Sequence, residues 1–83
     1  MNVTVYTLPS CVQCDATKRM LTSENVEFEV VDLTKDVEAA TMVASLGYKS
    51  APVIVTDKEH WSGFRYEKIQ HLASLAKLEK VNA

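Results

Sequence analysis

Leu8-Pro9-Ser10-Cys11-Val12-Gln13-Cys14-Asp15-Ala16-Thr17-Lys18-Arg19-Met20 carries both cysteines of the chain, two residues apart, where a strand pattern gives way to a helix pattern. Upstream, Val3-Thr4-Val5-Tyr6 is β-rich and stops at a Pro9-Ser10 turn signal. Downstream, Cys14, Thr17 and Leu21 recur at i, i+3, i+7 with Ala16 and Met20 beside them, while Lys18 and Arg19 point outward. Asn25 tolerates the left-handed conformation expected just past that helix.

Working outward, Val26 to Val31 reads as a second strand with Phe28 between Glu27 and Glu29. Asp32 and Thr34 offer helix caps. Val37, Ala40, Val43, Ala44 and Leu46 give a second apolar stripe, with Asp36 and Glu38 in its first turn and Gly47 as its stop. Pro52-Val53-Ile54-Val55 predicts a third strand, Thr56 to Glu59 a turn and His60-Trp61 a short return strand. Ile69, Leu72, Ala73 and Ala76 predict a last helix over Tyr66 to Leu78, with fraying beyond.

The order β-α-β-α-β-β-α makes an α/β fold with a mixed four-stranded sheet flanked by three helices. The first two strands should run parallel through a right-handed crossover and the last two should form a hairpin. With 83 residues, 47% of them apolar, and no linker or repeat, one domain over 1–83 is expected.

A net charge of -2 with scattered Lys and Arg gives no footprint for nucleic acid. The N-terminal stretch lacks a signal-peptide pattern and no apolar run reaches the ~20 residues of a membrane span, so the expected location is the cytoplasm. Thiols there are kept reduced, which makes a close Cys pair a redox centre or metal site rather than a permanent bridge.

A helix beginning near Cys11 would put the Cα atoms of Cys11 and Cys14 about 5 Å apart, inside the ~4.4–6.8 Å that a disulfide needs. Cys11 would meet the unpaired N–H groups of the helix start, which favour thiolate and make it the nucleophile. Cys14, a turn deeper on the apolar stripe, would resolve the mixed disulfide. Asp15 would partly offset the helix-end effect if it faces Cys11. A zinc site lacks ligands: only His60 and His71 are of the usual soft type, at an unsuitable spacing. The remaining bland alternative is a pair of small buried side chains.

Cys11-Val12-Gln13-Cys14 opening a helix, Ala51-Pro52-Val53 leading a later strand, and Trp61-Ser62-Gly63-Phe64-Arg65 together resemble the NrdH-type redoxins, glutaredoxin-like members of the thioredoxin superfamily. The resemblance runs over nearly the whole chain and implies a thioredoxin/glutaredoxin-like fold and protein disulfide reduction. It implies a supporting role for Val12, Gln13, Ala51 and Pro52 around a Cys11–Cys14 redox disulfide, and partner docking by Trp61, Ser62, Gly63, Phe64 and Arg65, with Trp61 and Phe64 alternatively bracing the last helix. Pro52 would be cis, although an X–Pro bond by itself favours trans by about 0.5–1 kcal/mol. Family members commonly continue the last motif with Pro-Asp. Tyr66-Glu67 stands here instead, so the start of the last helix and any tether of that corner are open.

The same resemblance implies electrons arriving from thioredoxin reductase, itself using NADPH, and leaving to the large subunit of class Ib ribonucleotide reductase. No cofactor or metal is expected on the chain, which should be a monomer. The competing redox reading is a glutathione-dependent glutaredoxin. Leu8 stands where a basic residue would often meet the tripeptide, and Val12-Gln13 replaces Pro-Tyr, though Lys49 and Arg65 could supply charge. A non-catalytic or metal-binding interaction module is the third alternative.

Overall fold

The structure, a computed structural model, describes residues 2–82, with side chains through residue 79. The elements are β1 (Val3–Thr7), α1 (Val12–Ser23), β2 (Glu29–Asp32), α2 (Val37–Ser45), β3 (Val53–Thr56), β4 (His60–Ser62) and α3 (Tyr66–Asn82). The expected order holds. The sheet runs β2-β1-β3-β4, with β1 and β2 parallel and the other neighbours antiparallel.

Register decides where the loops emerge. Thr7 pairs with Asp32, Tyr6 with Val53, and Val53 with Ser62. The exits of β1, β2 and β4 and the entry of β3 therefore share one end of the sheet.

Alternation along β1 buries Val3, Val5 and Thr7. Val3 and Val5 join Leu21, Val26, Ile54, Trp61, Ile69, Leu72 and Ala73 in one apolar core, so α1 and α3 cover the same sheet face. Each fully buried aliphatic side chain there contributes about 1.5–3 kcal/mol relative to exposure. Val53 is also buried, and the pleat turns it to the face opposite Ile54.

Four local expectations need correction. The second strand begins at Glu29, not Val26, because Val26 is consumed in closing α1. Its N–H reaches the Leu21 carbonyl at 3.0 Å, while Asn25, at φ 59°, donates to Thr22 at 3.1 Å. That pair of bonds is a Schellman closure, and its accompanying apolar contact is Val26 against the helix residue Leu21.

Asp36, rather than Asp32 or Thr34, caps α2, its Oδ1 accepting from Ala39 N–H at 2.9 Å. Asp32 lies too early for that task and closes a turn, accepting from Thr34 N–H at 2.8 Å and Thr34 Oγ1 at 2.6 Å. The Thr34 hydroxyl, then its N–H, hold the Asp32 carboxyl below its ordinary value, with Lys35 adding to the shift.

The apolar stripe of α2 is only partly used. Val43 is buried, whereas Val37 is 81% exposed, because it lies about 120° round the helix from Val43. The last helix runs on to Asn82, past the Leu78 limit read from its apolar residues.

Candidate functional site: a disulfide held by three loops

Ser10 takes φ 58°, a left-handed conformation costing roughly 1 kcal/mol for a residue with a Cβ, and so turns the exit of β1 sharply into α1. Cys11 is consequently the N-cap of α1 in an extended conformation. Its Sγ accepts from Cys14 N–H at 3.1 Å and is joined to Cys14 Sγ in a disulfide, with Cα atoms 5.2 Å apart. The partners differ in access. Cys11 is half-buried, while Cys14 is 1% exposed on the buried stripe that continues to Thr17 and Leu21.

Asp15 donates its backbone N–H to the Cys11 carbonyl at 3.2 Å and pairs its carboxylate with Lys18 at 3.5 Å. Both of those side chains are solvent-accessible, so the pair is worth little by itself. The neighbouring cation does dilute the charge Asp15 presents to the disulfide.

The second loop brings a cis Ala51–Pro52 bond, the isomer implied by the family resemblance, with Pro52 fully buried. Among the described residues nothing hydrogen-bonds the Ala51 backbone. Beside Ala51 runs a shallow groove bordered by Leu8, Ala40, Val43, Tyr48 and Lys49.

The third loop is the corner between β4 and α3, fastened residue by residue. Ser62 Oγ donates to the Ser50 carbonyl at 3.1 Å, Gly63 N–H to the Pro52 carbonyl at 2.8 Å, and Phe64 N–H to Gln13 Oε1 at 3.1 Å. Gly63 takes φ 91°, a conformation that favours glycine. A tether between this corner and the neighbouring loops therefore exists with Tyr66-Glu67 in place of Pro-Asp, and α3 still begins at Tyr66.

The five residues expected to dock a partner separate by position. Trp61, 4% exposed, lies in the core with Ile69 and Leu72 of α3. β4 turns the Trp61 ring to the covered face of the sheet, away from solvent. Ser62 and Gly63 are half-buried in the clasp, and Phe64 and Arg65 are exposed. No ion pair links Arg65 to Glu67 among the described residues. Val12, in the active-site turn, projects into solvent, and Leu8 is exposed just ahead of it.

Residues outside the motifs complete the frame. Ser50 and Ser10 carried no sequence signal beyond a turn preference. Tyr48 OH lies 2.6 Å from His60 Nδ1 with the rings edge-on, so His60 serves to hold the loop before Pro52. Among the described residues no group of three or more His, Cys, Asp or Glu side chains could hold a metal ion, and no helix is long and apolar enough to cross a membrane.

Half-buried Cys11 at a helix start is thus bridged to buried Cys14 a turn deeper, and a partner's sulfur would have access to the first and not the second. A glutaredoxin family profile matches residues 3–61. The glutaredoxin-like protein NrdH of Escherichia coli is 38% identical over 72 residues, covering 87% of this chain and 89% of the relative. Its counterpart in Lactococcus lactis is 34% identical over 71 residues, covering 86% and 99% respectively. The solved NrdH-redoxin of Escherichia coli superposes with a TM-score of 0.84 at 38% identity, over 87% of this chain and 95% of that one. This chain belongs to the glutaredoxin family, among its NrdH-type redoxins.

As an NrdH-type redoxin it has the thioredoxin-like fold and is a disulfide oxidoreductase, with the Cys11–Cys14 pair at redox spacing. The profile match stops at Trp61, so the Ser62–Arg65 corner of this redoxin lies beyond what the general family profile covers.

Proposed function

We propose that this redoxin takes electrons from thioredoxin reductase, which is itself reduced by NADPH, and passes them to a disulfide in the large subunit of class Ib ribonucleotide reductase. The observation that carries the choice of donor is the apolar flank of the disulfide. Leu8 is 40% and Val12 81% exposed, and glutathione carboxylates would need cations on that flank. The naming of the relatives as NrdH, and the description of the Escherichia coli protein as having a thioredoxin-like activity profile, support the same reading.

In the reduced protein the Cys14 N–H that meets Cys11 Sγ would stabilise a Cys11 thiolate. That thiolate attacks one sulfur of the acceptor disulfide and expels the other as a thiolate, which takes up a proton. Cys14 then loses its proton, attacks Cys11 Sγ and releases the second acceptor thiol. Two electrons and two protons have moved, and the Cys11–Cys14 disulfide returns to the reductase. Ala51, with its backbone unbonded among the described residues beside cis-Pro52, lines the incoming peptide, and Phe64 and Arg65 meet the partner. Residues 1–83 work as a single cytoplasmic domain and as a monomer, with no resident cofactor.

The test supplies either NADPH with thioredoxin reductase, or glutathione with NADPH and glutathione reductase, and follows reduction of a protein disulfide. Turnover is expected with the first donor. Turnover with glutathione alone would replace this reading by that of a glutathione-dependent glutaredoxin, for which exposed Lys49 at the edge of the groove is the specific support.

A further inference from the structure

Gln13 sits between the two cysteines, on the exposed first turn of α1, where a polar side chain would ordinarily be left to solvent. Its side-chain carbonyl instead accepts the Phe64 N–H at 3.1 Å, across 51 positions of sequence. Only the oxygen of the amide can meet a backbone N–H, which fixes the orientation of the group. Among the described residues this is the only hydrogen bond between the disulfide loop 11–14 and the corner 62–65.

The other two fastenings stop short of the exposed part of that corner. Ser62 is tied to Ser50 and Gly63 to Pro52, and the next main-chain bond is the Arg65 carbonyl accepting from Ile69 N–H at 3.1 Å, at the start of the helix. Arg65 precedes α3 and its side chain carries donors alone, so it cannot cap the helix. Without Gln13, Phe64 and Arg65 would be held only through their chain neighbours, Gly63 on one side and α3 on the other. With it, these two exposed side chains are referenced directly to the turn that carries the disulfide.

We infer that Gln13 is a positioning residue for partner recognition, holding the Phe64–Arg65 corner in register with the Cys11–Cys14 disulfide so that a protein whose sulfur meets Cys11 finds both contacts already in place. This rests on the reading of the chain as a redoxin for protein partners. The sulfur chemistry is untouched by it, so the effect falls on KM and not on kcat.

The test compares the full chain with Gln13→Met, which keeps the length and loses the acceptor, and Gln13→Glu, which keeps an acceptor oxygen. Amide hydrogen exchange of Phe64 should quicken about three- to tenfold in Gln13→Met, the range expected for one lost hydrogen bond, and stay near wild type in Gln13→Glu. With thioredoxin reductase and NADPH, the KM for the Gln13→Met redoxin should rise by the same factor while kcat and the alkylation rate of Cys11 stay put. Unchanged Phe64 exchange in Gln13→Met, or a fall in kcat at constant KM, overturns the inference. If thioredoxin reductase does not reduce the wild-type chain, the donor proposal fails separately. The exchange measurement, and the second-order rate of the pre-reduced variants with insulin disulfides, then decide the role of Gln13, with equal rates for wild type and Gln13→Met counting against it.

Discussion

Gly63 donates its N–H to the Pro52 carbonyl across 2.8 Å, tying the residue that follows β4 to the cis peptide that precedes β3. The bond is possible because Val53 and Ser62 are register partners, which brings the two flanking residues face to face. Gly63 meets it at φ 91°, where an added Cβ would lie 3.4 Å from Gln13 Oε1. Space is adequate, so the conformation itself sets the demand for glycine.

Gly63→Ala should therefore lower stability by about 1–3 kcal/mol through backbone strain. In a chain of this size each kcal/mol moves Tm by roughly 4–8 °C. Thermal unfolding followed by circular dichroism measures it, and a wild-type Tm would remove the claim that the corner demands a positive φ.

Replacing either sulfur separates the two roles. Cys14→Ser should still attack an acceptor disulfide and then stall, giving a mixed disulfide visible by intact mass. Cys11→Ser should form none, because Cys14 is buried. Equal trapping by both variants would mean that burial does not distinguish the thiols.

Asp15→Asn should lower the pKa of the Cys11 thiol in the reduced protein by removing a negative charge on the adjoining turn. The change should be modest, since Lys18 at 3.5 Å already offsets that charge. Thiolate absorbance as a function of pH reads it out, and a rise in pKa would contradict the argument.

Asp32 gives the acid limb of the stability curve a defined sign. Its folded-state value lies below the ordinary 3.8, chiefly through the Thr34 hydroxyl. The stabilisation is thus fully present above that ordinary value and is lost as pH falls through the lower folded one. Thr34→Ala should move the Asp32 carboxyl upward, as a carbon-detected pH titration would register, and should shrink the acid-side loss of stability. An unmoved titration would assign the shift to another partner.

The strand-to-helix switch at Cys11, the Leu21 and Ile69 stripes and the hairpin ending at Trp61 were legible in the sequence because each is a local periodicity bounded by a turn residue. The start of β2 was not, because Val26 satisfies a strand pattern and a helix-closing contact equally well, and only the Leu21 carbonyl chooses between them. The burial of Trp61 depended on which sheet face the helices cover, a tertiary fact. Gln13 bonding Phe64 spans 51 positions and leaves no periodic trace at either end. The cis state of Pro52 came from resemblance, since local energetics favour the other isomer.

β3 leads away from the disulfide end of the sheet and reverses at Asp57 and Lys58, both exposed, before β4 returns. At ~3.3 Å per strand residue the reversal lies about 16 Å along the sheet from Pro52. A fluorophore or a surface linker coupled to Lys58 would thus orient the molecule with its sulfurs outward, leaving the electron-carrying face open to large partners.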